Sequence, residues 1–382
     1  MRIAMVYSTG FPPREGMGKH VCNVAAELAH MGHEVRLFTR GSKRNSITNE
    51  NGLSVEVLPN MPLYPFHVDI QGIWIKKMLV RTGWMPDIID AHTPNPPPIR
   101  IGAPLVTTFH APMKVGARVS AHELLNPITI ATKILAGFTV LNEYRLLGAS
   151  TALAAVSRNV AEELEVYGVL SDRVSVLGNG VDSSLFSPQN AQRDESATPY
   201  VLFVGRLAYR KGLFELLSAM LIATKKIPQL ALRIAGDGPL ERRLRDVTDR
   251  LGLADAIEFM GFVPENRLAS LYSNAVATVI PSAYESGPLV LLEALACGCP
   301  FIAAPVGLVP EVMEQVECGI VINEARPEHI AAAVERLVEE GSLRDRLGVA
   351  GRELVLREYT WKAVAARTQD FCEKAVGKWS PS

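Results

Sequence analysis

At residues 2–41 the chain reads "RIAMVYSTGFPPREGMGKHVCNVAAELAHMGHEVRLFTRG". "RIAMVY" is a buried-strand pattern, a Gly/Pro loop follows it, "GKHVCNVAAELAHM" is helical, Gly32 supplies a turn, and "EVRLFTR" is a second strand. Strand, helix and strand in that order make a βαβ unit, and a βαβ unit requires a parallel sheet covered by helices.

The alternation continues outward from this stretch. Short strands are expected in "LSVEVLP", "DIIDAH", "PLVTTFH", "ALAAVS" and "RVSVLGNGVD". From Ser183 to Pro199 the sequence loses periodicity and turns polar, which marks a linker. Beyond it "YVLFVG" and "ALRIAG" each lead through a glycine-containing turn into a helix. The expected architecture is therefore α/β: two Rossmann-like, doubly wound domains at about 1–185 and 186–382, with a terminal helix at about 360–378 a candidate to cross back to the first domain.

Composition agrees with a soluble globular protein. The chain has 382 residues, more than one core usually supports, 48% of them hydrophobic, and a formal net charge of −1. That balance argues against a general nucleic-acid binder. The N-terminal apolar run is too short for a signal-peptide core, and no run reaches the roughly 18 residues of a spanning helix, so a cytoplasmic location is expected. The five cysteines, Cys22, Cys297, Cys299, Cys318 and Cys372, are scattered and form no C-x-x-C pair, which points to packing rather than to zinc or disulfides. No carboxylate cluster advertises a metal site.

In open parallel sheets ligands sit beyond the carboxyl ends of the strands. "YVLFV" runs into Gly205, Arg206 and then Arg210-Lys211-Gly212 ahead of a helix, a basic loop at a helix N-terminus and hence a phosphate-type site. Solvated loop charges are the plainer reading of the same residues. After "LALRIA" comes Gly236-Asp237-Gly238, where Asp237 is a helix cap or a ligand contact. The first strand leads to Gly16-Met17-Gly18-Lys19-His20, where glycines would let a ligand approach the backbone. His92 and His110 follow apolar strands, as core histidines or as site residues.

Residues 285–300, "ESGPLVLLEALACGCP", pose a separate question. Pro288 suits the first helical position, and Gly298 with Pro300 ends the helix. Apolar residues on every side imply burial, yet Glu293 stands inside and Glu285 just ahead. Such carboxylates need partners. The first-turn amides of Leu289, Val290 and Leu291 can hold an anion, while carboxylates bond hydroxyls. A diphosphate flanked by polyols, as in a nucleotide sugar, would satisfy them all.

These residues carry a family resemblance. "ESGPLVLLEALACGCP" resembles the Glu-seven-residues-Glu motif of the retaining glycosyltransferases of family 4, which have the GT-B fold of two Rossmann-like domains facing a cleft. "VGRLAYRKG", "AGDGP", "GFVP", "AVS", "NGVD", "TTFH" and the N-terminal glycine loop are similar to that family's other landmarks, in its order. The resemblance implies that Arg206 and Lys211 neutralise the donor diphosphate, that Glu293 binds the ribose diol, and that Glu285, with Gly287, Leu289 and Val290, lies by the donor sugar and diphosphate. It also implies that backbone near Val263 meets the base, that His110 lies near the sugar ring, and that Gly16 and Gly18 approach the diphosphate. Gly287 departs from the aromatic often found there, and Ser150 from a common Asp. Catalytic roles fall on Glu285, His110, Arg206 and Lys211.

The expected activity is metal-independent, retaining transfer from a nucleoside diphosphate sugar, UDP favoured, to a hydroxyl of a carbohydrate or lipid-linked acceptor. No other cofactor is expected. Residues 66–84, with Trp74, Trp84, Lys76, Lys77 and Arg81, are a surface helix or a peripheral contact with the inner face of a membrane. Residues 127–144 are read as a core helix lining the acceptor cleft. An NAD-dependent oxidoreductase is disfavoured, because Val21 replaces the third glycine and "EVRLFTR" ends without an acid, leaving only NADP with Arg40. A nucleotide-sugar epimerase and a non-catalytic nucleotide-sugar binding protein would also be compatible with these residues.

Overall fold

A computed structural model describes residues 1–13, 15–41, 45–48, 53–59, 66–115, 127–188 and 198–380. Of the linker expected over 183–199, residues 189–197 lie outside the described ones. The chain divides into two compact units, Met1–Asn179 with Trp361–Ser382, and Gly180–Thr360.

The first unit holds strands β1 (Arg2–Gly10), β2 (Glu34–Gly41), β3 (Asn45–Thr48), β4 (Leu53–Pro59), β5 (Ile88–His92), β6 (Leu105–Phe109), β7 (Ala152–Ala155) and β8 (Val174–Val176) in the order β3-β4-β2-β1-β5-β6-β7-β8. All neighbours are parallel except β3, an antiparallel edge strand that the periodicity did not reveal. The chain winds outward from β1 in one direction and returns to its other side at β5, so the sheet's switch point lies between β1 and β5. One face buries Ala4, Val6, Phe38, Ile89 and Ala91 against Ile75, Met78 and Leu79 of the helix His67–Thr82. The helix Gly16–His30 buries Val21, Val24 and Leu28, and the last helix, Trp361–Lys378, packs against it within this unit.

The second unit contains β9 (Tyr200–Val204), β10 (Ala231–Ala235), β11 (Ile257–Gly261), β12 (Ala277–Ile280), β13 (Phe301–Ala303) and β14 (Gly319–Val321), ordered β11-β10-β9-β12-β13-β14 and wholly parallel. Counted within the unit, that is the strand order 3-2-1-4-5-6 of dinucleotide-binding sheets. Alternation along β9 sends Val201 and Phe203 to one core, with the helices Leu213–Lys226 and Pro327–Glu339, and Tyr200 and Leu202 to the other, with Leu289–Ala296. A sheet covered on both faces explains why its strands read as continuous apolar runs.

One helix differs from expectation, and a second is a surface helix as expected. Pro127–Ala149 is not apolar all round in its described part: Phe138, Leu141 and Tyr144 are exposed while Thr139, Asn142 and Glu143 are buried. The buried polar residues have partners, Asn142 donating to Pro96 O and Glu143 accepting from Tyr167 Oη and Met113 N. In His67–Thr82, Ile73 and Val80 are exposed together with Lys77 and Arg81, and Phe66 precedes them. No helix among the described residues is long and apolar enough to cross a membrane.

Candidate active site

The second unit's switch point falls between β9 and β12, and the loops that leave these strands carry the predicted basic and acidic residues. After β9 the chain makes a short 3₁₀ turn, Tyr209–Lys211, and enters the helix Leu213–Lys226 through Gly212. Gly212 has φ +67°, and a Cβ there would lie 2.1 Å from Pro281 O, so the β9 and β12 loops meet at a point only glycine fits. That contact fixes where Lys211 stands.

Lys211 Nζ donates to Glu285 Oε1 at 2.5 Å, and the Ser282 hydroxyl donates to the same oxygen at 2.7 Å. Arg210 Nη1 is 3.7 Å from Glu285 Oε2 and donates to Tyr284 O. Glu285 is buried, whereas Arg206 is exposed and makes no ion pair among the described residues. The structure thus brings Lys211 and Glu285 together as an ion pair, with a second arginine at its edge that the sequence did not single out. Arg210 was legible only as one more charge in a basic loop.

The acid inside the apolar helix has its explanation in Tyr272. The helix spans Leu289–Ala296, and its residues from Leu291 onward are buried. Glu293 Oε2 accepts a hydrogen bond of 2.8 Å from the hydroxyl of Tyr272, itself fully buried. Burial and the Glu293 carboxylate hold that phenol well above its ordinary range. Pro288 is not the first helical residue: it is extended, with ψ 113°, and flanks the helix. Its carbonyl accepts the amide of Leu291, so of the three amides expected to be available, that one is engaged and those of Leu289 and Val290 remain without an acceptor inside the helix.

Other predicted residues distribute as follows. Val263 is buried just beyond β11, beside exposed Phe262, and Gly287 sits partly buried between Glu285 and the helix. Asp237 is not a helix cap: the helix Glu241–Arg250 is preceded by Leu240, and the Asp237 carbonyl accepts the amide of Leu207. Cys297 and Cys299 are packing residues whose thiols burial pushes up to about 12.

In the first unit Gly16 and Gly18 are not in a loop. They form the first turn of the helix Gly16–His30, where a Cβ on Gly18 would lie 2.6 Å from Pro13 Cβ. His110 is buried just past β6, next to His92 and His20; one ring nitrogen from each of the three lies within 4.8 Å of the others. His92 Nδ1 is 3.1 Å from His110 Nε2, and His20 Nδ1 is 2.9 Å from Asn179 Oδ1. The grouping was missed as a unit because its members are far apart in sequence, although Asp90-x-His92 and Thr108-x-His110 carry a signal: residues two apart share one face of a strand.

Two parallel-sheet units with these strand orders make the GT-B architecture. A family model described as "Glycosyltransferase Family 4" matches residues 14–185, and one described as "Glycosyl transferases group 1" matches residues 188–354. The chain belongs to this family and is a glycosyltransferase. It is 27% identical to a glycogen synthase of Mycobacterium tuberculosis, over 96% of this chain and 93% of that protein. Among solved structures it resembles sucrose-phosphate synthase from Thermosynechococcus elongatus, with TM-score 0.80 and 22% identity over 99% of this chain and 100% of the other. It also resembles HepE of Anabaena in complex with UDP and glucose, with TM-score 0.69 and 18% identity over 98% and 100% of the two chains.

Proposed function

We propose that the chain is a retaining, metal-independent glycosyltransferase that moves a sugar from a nucleoside diphosphate, UDP favoured, to a hydroxyl of a carbohydrate or lipid-linked acceptor. The observation that carries this reading is the placement of Lys211, paired with Glu285, at the switch point beside the N-terminus of the helix Leu289–Ala296. The bond from the sugar's anomeric carbon to the diphosphate oxygen breaks, and the new bond from that carbon to the acceptor oxygen forms on the same face. The acceptor's proton passes to the departing diphosphate. Charge builds on the diphosphate as the bond breaks, and Lys211, Arg206 and the amides of Leu289 and Val290 stabilise it without moving. Glu285 holds Lys211 until the donor arrives, then is free to accept a hydrogen bond from a sugar hydroxyl. Glu293, bonded to Tyr272, also accepts from the ribose diol, with Val263 backbone at the base and Gly287 beside the sugar; His110 meets a sugar hydroxyl, and Gly16 and Gly18 the diphosphate. HepE, of the same fold, is in complex with UDP and glucose, and a starch synthase IV of the same fold is bound to ADP, so the donor panel below decides between the bases.

The test incubates the enzyme with UDP-, ADP- and GDP-sugars without acceptor, with and without EDTA. Slow nucleoside diphosphate release that survives EDTA, with the freed sugar keeping its anomeric configuration, is the expected result. An isomerised donor marks an epimerase instead, an inverted sugar overturns retention, and activity lost in EDTA and restored by magnesium or manganese overturns metal independence. For the membrane-facing reading of the helix His67–Thr82, sedimentation with anionic vesicles should depend on Lys77 and Arg81.

A further inference from the structure

His20 begins the second turn of the helix Gly16–His30, His92 ends β5, and His110 follows β6; Trp361 stands edge-on to His20 with ring centroids 5.6 Å apart. Asp90, two residues before His92 and on the same face of β5, has no exposed surface. Its Oδ1 accepts the Thr108 hydroxyl at 3.1 Å, and its Oδ2 lies 3.1 Å from His92 Nε2. That second approach is close but poorly aligned for a hydrogen bond, and among the described residues neither atom is hydrogen-bonded elsewhere.

The proton positions follow from this geometry. A bare His92 Nε2 would set its lone pair against a carboxylate oxygen at 3.1 Å in a dry interior, where such repulsion is strong. Nε2 therefore carries the proton, and with one proton on the ring Nδ1 is an acceptor. Nδ1 is 3.1 Å from His110 Nε2, which must then be the donor. His110 is left with a bare Nδ1, and no hydrogen-bond partner of that atom occurs among the described residues; the ring keeps 8% exposure. Burial, then His20 and His92, holds the His110 imidazole well below its ordinary range, and burial brings His20 to about 3, so both rings are neutral near pH 7.

We propose that Asp90 and His92 are positioning residues that lock His110 in the Nε2–H tautomer, so that its Nδ1 lone pair accepts a hydrogen bond from a hydroxyl of the sugar and repels phosphate oxygens. The inference rests on the reading that His110 meets the sugar. It gives that residue one polarity: a neutral acceptor for a hydroxyl, not a cation for the leaving group. One nitrogen from each of the three rings, all within 4.8 Å of one another, would also suit three ligands of a soft divalent ion, an outcome the chelation experiment below distinguishes.

Long-range proton–nitrogen NMR of the histidine rings in the unmodified protein should show His92 and His110 both as Nε2–H tautomers and His20 as Nδ1–H. In Asp90→Asn the amide can donate to His92 Nε2, reversing the chain, so both rings should switch to Nδ1–H. Turnover should then fall at least tenfold, with the circular dichroism spectrum retained; a reversed tautomer has this kind of effect where an Asp–His pair sets catalytic geometry. An Nδ1–H ring at His110 in the unmodified protein, no tautomer change in Asp90→Asn, or zinc-restored activity after chelation with both rings metal-bound would each overturn the proposal. Full turnover in His110→Ala would instead remove the contact with the sugar while leaving the tautomers as observed, which separates the two failures.

Discussion

Glu293 is a residue that looks costly to the fold, and we propose that a ligand hydroxyl is what keeps it there. Its carboxylate is buried in an apolar helix and accepts the Tyr272 hydroxyl, and a carboxylate can accept several such bonds. Glu293→Gln keeps an acceptor for Tyr272 and removes a buried charge, so urea unfolding of the apo protein should show equal or slightly higher stability. Donor affinity should drop by about 1.5–3 kcal/mol, the range for hydrogen bonds to charged groups. A 2′-deoxyribose donor should bind the parent more weakly than the ribose donor and discriminate little in the variant; additive losses would refute the ribose role. Tyr272→Phe, by contrast, strips a partner from a buried carboxylate and should lower apo stability by about 1–3 kcal/mol. The acid was conspicuous in the sequence because its neighbours are apolar. Tyr272, 21 residues earlier, was not, since a tyrosine in an amphipathic helix is ordinarily core.

At the level of elements, the two switch-point loops are joined by contact rather than by sequence. Gly212, left-handed at φ +67° and pressed on Pro281 O, seats the β9 loop on the β12 loop and so sets Lys211 against Glu285. Gly212→Ala imposes both the strained φ and a clash with backbone. A loss of about 1–3 kcal/mol is expected from the strained backbone alone, and nucleoside diphosphate affinity should fall with it because Lys211 moves. A variant as stable as the parent, with unchanged affinity, would contradict this account of the loop. The strands β11–β14 of the second unit were not read from the sequence, while β1, β2 and β4–β10 were legible as short apolar or alternating runs. The short edge strand Asn45–Thr48 was not: its residues "NSIT" have no apolar alternation, and pairing with β4 alone defines it. The glycine pair at 16 and 18 was misread as a loop because two glycines near a helix start disguise its first turn, where packing on Pro13 demands the absence of a Cβ at Gly18.

At the scale of the whole molecule, chain order and folding units do not coincide. Trp361–Lys378 ends the chain yet belongs to the first unit, burying Trp361, Val364, Ala365, Phe371, Cys372 and Ala375. At about 1.5–3 kcal/mol for each large apolar side chain buried, deleting residues 361–382 removes an amount comparable to the stability of a whole domain. The truncated protein should lose the thermal transition of the first unit, while residues 180–360 expressed alone should give a cooperative unfolding transition. Retention of both transitions after truncation would show that the last helix is dispensable. The central claim is that Lys211 and Arg206 hold the diphosphate, and titration calorimetry with UDP and uridine tests it most directly. For Lys211→Ala and Arg206→Ala we expect UDP affinity to fall by about 1.5–3 kcal/mol each, the weight of charge-assisted hydrogen bonds, with uridine binding unchanged. Equal losses for UDP and uridine, or no loss for either, would contradict it.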